Sequence, residues 1–223
     1  DYQINGLVKQ SEVNFLNQFK LRNLNFNFDI RKNRFFLTEI KTDLNNIRLI
    51  SSLIDINKKN NLFLVKGSIT SNKKDFDKKQ LDILAKTLFE NLDIEKIRFS
   101  SINDFSFNIS KKLKLSNLNI ESRVTLNQLD IKKNILNLKS YFPAFDNKFK
   151  FTNHEIKINF NKDKLDIVGK GEVSIADKSD SLTYKIERKN DEFIFHTNIG
   201  LKNKKLLIKF LDFKKKEGLE SSI

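Results

Sequence analysis

Apolar residues fall at every second position through most of this chain, and most regularly in residues 156–213. Leu165, Ile167, Val173 and Ile175 share one parity, with Gly169 and Gly171 holding two places in the same row, while Asp166, Lys170, Glu172 and Ser174 take the other. Val168 breaks the pattern. Leu182, Tyr184 and Ile186 repeat the alternation, and Phe193, Phe195, Ile199 and Leu201 repeat it again after a polar stretch. A period of two is that of a strand whose side chains alternate between faces. The stretch therefore predicts a meander of antiparallel strands with one apolar face.

The same pattern recurs upstream. Leu24, Phe26, Phe28 and Ile30, a polar turn at 31–34, and the run 35–40 predict a hairpin, and residues 47–56 and 62–70 predict a second. Residues 94–99, then Phe105, Phe107 and Ile109, read as strands, and a parity change near Ser116 and Asn117 predicts a bulge or turn. The run 131–142 follows as a further strand, and Pro143, the only proline, makes 141–147 a loop or an edge. Residues 1–20 show no clean period. Val13, Leu16, Phe19 and Leu21 suit one short helix or an approach loop, so this is an unassigned approach segment before a repetitive β region at 21–223. The one expected helix spans about 77–92, where Leu81, Leu84, Ala85, Leu88, Phe89 and Leu92 form an amphipathic stripe that Asp75 or Asp77 would cap. It would dock on a sheet.

The fold expected is mainly β, a long antiparallel sheet with one greasy face. Ten or so strands at about 4.8 Å spacing span roughly 45 Å, whereas a helix of about 14 residues covers only some 21 Å by 10 Å. Leaving the rest wet costs about 25 cal/mol per Å², more than a domain's stability over several hundred Å². The sheet must close as a barrel, pack on a second sheet, or curl into an open, taco-like groove around an apolar guest. Periodicity does not choose among these.

Composition changes this picture little. The net charge of +14 invites a nucleic-acid reading. However, the lysines are interleaved with 28 acidic residues and lie opposite in parity to the Phe, Ile and Leu, whereas a single-strand binder sets aromatics and cations on one face. An AT-rich genome, which favours Lys, Asn, Ile and Phe codons, accounts for the same enrichment. No Cys is present, so neither a disulfide nor a thiolate metal site exists. The longest apolar runs fall far short of the roughly 20 residues of a spanning helix. The chain starts at Asp1 and has no Met, and is expected to be a fragment of a longer protein whose anchor lies upstream.

Candidate chemistry is sparse. His154 and His196 stand far apart, and His196 has the outward parity. Gly169-Lys170-Gly171 lacks the other glycines of a phosphate loop and leads into a strand. Asp75-Phe76-Asp77 lacks the rest of a calcium loop. No catalytic or metal-binding residue and no cofactor is expected, and the chain does not read as an enzyme.

The segments 105–109, 113–120, 165–172, 182–186 and 210–219 resemble, in texture and strand order, the central to C-terminal region of AsmA-like proteins, the long YhdP-type members in particular. The likeness spans residues 20–223. It implies a periplasmic β-groove tethered to the inner membrane by an anchor outside this fragment. Such a groove carries or shields phospholipid acyl chains toward the outer membrane and supports that membrane's integrity. The implied partners are phospholipid and the inner membrane, with no nucleic acid. Leu165, Ile167, Val173, Ile175, Leu182, Tyr184, Ile186, Phe193 and Phe195 are the candidate groove lining, or equally a sealed core. The alternative is a closed structural or adhesive β-sandwich or β-solenoid. A gel shift with DNA is expected to show no steeply salt-dependent affinity; such affinity would restore the nucleic-acid reading.

Overall fold

The computed structural model describes residues 2–15, 19–44, 47–76, 93–132, 138–175, 178–189 and 192–222. The alternation becomes eleven strands: β1 (Gln3–Phe15), β2 (Phe19–Arg31), β3 (Arg34–Leu44), β4 (Ile47–Lys59), β5 (Leu62–Phe76), β6 (Asp93–Ser110), β7 (Leu115–Lys132), β8 (Lys148–Asn161), β9 (Lys164–Ile175), β10 (Lys178–Lys189) and β11 (Glu192–Ile199). They pair in chain order in one antiparallel sheet whose end strands, β1 and β11, have no mutual pairing. The sheet is open, and the barrel is excluded. Short turns hold several sequential strands together: Lys32-Asn33 joins β2 to β3, and Asn60-Asn61 joins β4 to β5 with Asn60 at φ 54°. Among the described residues, one short helix, α1 (Leu138–Tyr141), lies beyond the sheet, with a separate hairpin, β12 (Leu206–Ile208) and β13 (Phe213–Lys215), closed by a 3-10 turn at Lys209–Leu211.

Five expectations need correction or restriction. Residues 3–15 are strand, not helix or loop. Their alternation is hidden because the β1–β2 register shifts between Val8 and Ser11 and again between Ser11 and Val13, with Gln10 at φ 49°, so parity restarts twice. The runs at 94–99 and 105–109 belong to one continuous strand, β6. The strand expected across 131–142 stops at Lys132, and Leu138–Tyr141 is helical instead. There the Phe142 N–H donates to the Leu138 carbonyl, which sets both side chains on one side of the turn, against the core. Asp75 is not a cap: it lies in β5, and its carboxylate accepts from the Arg98 guanidinium, with Nη2 to Oδ2 at 2.6 Å. The helix expected at 77–92 lies outside the described residues. The parity change near Asn117 is present as a left-handed residue at φ 52°.

The chain divides into two compact units, one of residues 1–74, 100–123 and 157–166, the other of 75–99, 124–156 and 167–223. They differ in how well their apolar face is covered. Among the described residues twelve apolar side chains are buried, and only Ile40, Ile47 and Val65 belong to the first unit. The second holds the main cluster, Phe145, Val173, Ile175 and Leu182, with Leu138, Phe142, Phe149, Phe151, Tyr184 and Ile199 around it. Residues 138–145 supply the cover for these strands, and Phe145 keeps 2% of its surface exposed.

Glycines on the apolar face seat aromatic rings of neighbouring strands. The Phe28 ring occupies the place a Cβ of Gly6 would take, Phe105 does so at Gly67, Tyr184 at Gly169 and His154 at Gly171. At Gly171 the obstacle includes backbone, since a Cβ would lie 2.8 Å from the His154 Cα. Gly171→Ala should therefore cost about 1–3 kcal/mol through backbone displacement. Gly6→Ala, which meets only the swinging end of Phe28, should cost under about 1 kcal/mol. Chemical unfolding midpoints of the two variants check the order.

Candidate apolar binding trough

In the first unit, register fixes which side chains share a face. Val8 pairs with Phe26, Phe28 with Leu37, Ile30 with Phe35, Phe35 with Ile56, and Ile56 with Val65. Directly opposed residues of antiparallel strands point to the same side. Five strands thus contribute one continuous apolar row. Its rings touch: Phe35 and Phe63 meet edge to face at 6.2 Å, and Phe26 and Phe28 lie 6.5 Å apart.

These residues, with Ile109 of β6 and Leu113, line a trough of about 580 Å³. All eleven lining residues are apolar. Val8 of β1 and Ile109 of β6 face the same space although four strands separate them in the sheet order. On a flat sheet they would stand roughly 24 Å apart, so this part of the sheet curls. The lining is incompletely covered: Val65 alone is buried, Leu113 is 84% exposed and the others are half-buried. The volume lies within the range of small-molecule sites, about 300–1,000 Å³.

The opposite face is polar and cross-braced. Phe36 points there, paired with Asp29 and Asp55, and the Arg31 and Arg34 guanidiniums lie over its ring at 5.6 and 4.8 Å from the ring centre. Arg31 holds Asp29 at 2.7 Å and Arg34 holds Asp55 at 2.8 Å. The hydrogen bond from Arg31 pulls the Asp29 carboxyl below its ordinary range. Charge is thereby kept off the trough side of these strands.

The residues expected from sequence to line a groove divide into two groups. Val173, Ile175 and Leu182 are buried in the cluster under residues 138–145, with Tyr184 packed against it, so they form sealed core and not an open wall. Burial raises the Tyr184 phenol above its ordinary value, which keeps it neutral. Leu165, Ile167 and Ile186 are half-buried. Phe193 and Phe195 stack with centres 6.3 Å apart and stay open, Phe195 at 65%. They share the face of Leu182 and Ile186, since Phe195 pairs with Ile186 and Ile199 with Leu182. The trough residues of β2 to β6 were legible as strand positions and Val8 of β1 was not, and no signal in the sequence distinguishes a row that finds a cover from one that does not.

Histidine and serine chemistry stays structural. His154 is buried at 1% exposure, and its Nε2 donates to the Glu172 carbonyl at 2.9 Å while its ring meets Phe151 and Tyr184. His196 pairs with Lys185 on the outer face, as its parity predicts. Ser71 and Ser101 hydrogen-bond each other at 2.8 Å, and Asn103 donates to Ser101 at 2.9 Å, which satisfies polar groups between β5 and β6. Among the described residues no three His, Asp or Glu side chains gather as metal ligands, and no helix is long and apolar enough to cross a membrane. The chain matches no family model, no curated protein and no solved structure.

The division of the C-terminal set is measurable. Leu182→Ala should cost about 2–4 kcal/mol of stability by leaving a cavity, and Phe195→Ala less than about 1 kcal/mol because its ring is solvated. Urea unfolding of both variants reads the difference.

Proposed function

We propose that this protein is a non-enzymatic lipid-handling groove, in which the apolar trough of the N-terminal strands carries or shields the acyl chains of phospholipid. The observation that carries this reading is a row of half-exposed Phe, Ile, Leu and Val from β1 to β6 around about 580 Å³, with no polar residue in its wall. A concave space of this volume lined by apolar side chains has the form of a small-molecule site. A wall without hydrogen-bonding side chains selects a guest that needs none, and acyl chains are the abundant guest of that kind.

The resemblance to AsmA-like proteins supports the same reading and implies its setting: the periplasm of a bacterial envelope, tethered to the inner membrane, with traffic toward the outer membrane. A second reading, a closed structural β domain, draws on the sealed Phe145 cluster. That cluster belongs to the second unit and the trough to the first.

Gently purified protein should release phospholipid on native mass spectrometry, and delipidated protein should bind a hydrophobic fluorescent probe that added phospholipid displaces. Leu37→Asp sets a carboxylate on the trough face between Phe28 and Ile54, where it stays hydrated until a guest covers it. Probe affinity should fall at least about tenfold, with the unfolding midpoint nearly unchanged. Absence of both lipid and probe binding in the unsubstituted protein would leave the closed-domain reading.

A further inference from the structure

We infer that the β12–β13 hairpin is a membrane-docking finger that inserts its tip into the interface of an anionic bilayer. The inference rests on this hairpin alone and not on the trough.

The base of the finger is held firmly. Leu206 and Lys215 face each other across the ladder, both buried, and the Lys215 ammonium donates to the carbonyls of Lys204 at 3.0 Å, Lys216 at 3.1 Å and Lys202 at 3.4 Å. The Gly218 N–H donates to the Lys202 carbonyl and the Leu201 N–H to that of Ser221, both at 2.8 Å. Helix α1 packs on β12 from the other side.

The tip is the reverse of an ordinary turn. Turns carry small polar residues because their backbone is solvated, yet this one presents Phe210 at 80% and Leu211 at 63% exposure, with Phe213 at 47%. Asp212, left-handed at φ 45°, closes it by donating its N–H to the Lys209 carbonyl. The most exposed large apolar side chain of this unit among the described residues, Phe210, therefore sits on a braced turn.

Charge decides the occupant. Residues 204–216 hold six lysines and one carboxylate, Asp212, which lies 3.8 Å from the Lys214 ammonium. Lys209 and Lys214 are exposed beside the apolar tip, and Lys205 and Lys216 are exposed at the base of the hairpin, next to Glu217. An apolar point flanked by long cationic side chains fits a bilayer surface. The rings and Leu211 enter the acyl boundary, and the lysines extend back to lipid phosphates. A nucleic acid needs a groove that tracks its backbone, which a turn tip does not offer.

The chain contains no Trp, so Phe210→Trp gives a single reporter at the tip. Its emission should shift to shorter wavelength with vesicles of phosphatidylcholine and phosphatidylglycerol, and much less with phosphatidylcholine alone or at high salt. The Phe210→Ser, Leu211→Ser double variant, altered only at exposed positions, should sediment with the anionic vesicles about tenfold less than the unsubstituted protein. Leu37→Asp protein should keep the Trp shift, which separates failure of the finger from failure of the trough. An unshifted emission, sedimentation of the double variant equal to the unsubstituted protein, or a shift that follows protein concentration without vesicles, as a second copy on the tip would give, overturns the inference.

Discussion

A strand meander with strict two-residue alternation makes an apolar sheet face whether or not the chain has anything to put over it, and every other feature of this protein follows from how that face is covered. Apolar surface left in water costs about 25 cal/mol per Å², so a solution must be found strand by strand. Two coexist here. Residues 138–145 fold a short turn of helix and a proline-containing loop onto β9 and β10 and bury Phe145. In the first unit the strands curl instead, so that rings partly shade one another and bound a concave space. Curling reduces exposure without removing it.

The polar face contributes the other half of the specification. Lysine and arginine exceed the carboxylates by 14, yet acids are set beside them: across strands Asp55 takes Arg34, Asp75 takes Arg98 and Asp104 takes Arg123, while Asp29 takes Arg31 within β2. Exposed pairs of this kind contribute about 0–1 kcal/mol each. Their larger effect is on register, because a slip of one residue would bring every charge to the apolar side.

Strand identity and the one-sided character of the sheet were legible in the residues, since both depend on a period that local chemistry imposes. Phe28, Leu37 and Ile56 face one way because 2.0 residues per repeat allows nothing else. Legibility failed where a backbone irregularity resets the count. Gln10 in β1 and its two register shifts erase the alternation of residues 3–15, and nothing in that stretch's composition announces a bulge. Leu138 and Phe142 look like strand positions and become a helical turn because the core below them has room for both on one side. The division of the C-terminal set was beyond reach for a different reason. Val173 and Phe195 carry the same local pattern, and only the tertiary position of residues 138–145 makes the first sealed and the second open.

The ring-over-glycine contacts bear on how such a wall would treat whatever lies against it. Where Phe28 rests over Gly6 and Phe105 over Gly67, adjoining strands present a flat plate and not a knob beside a hole. A wall paved in this way has few notches in which a methyl terminus or a double bond could lodge. It discriminates poorly among chains of different length or unsaturation, and it sets only shallow energy ripples against lengthwise slippage.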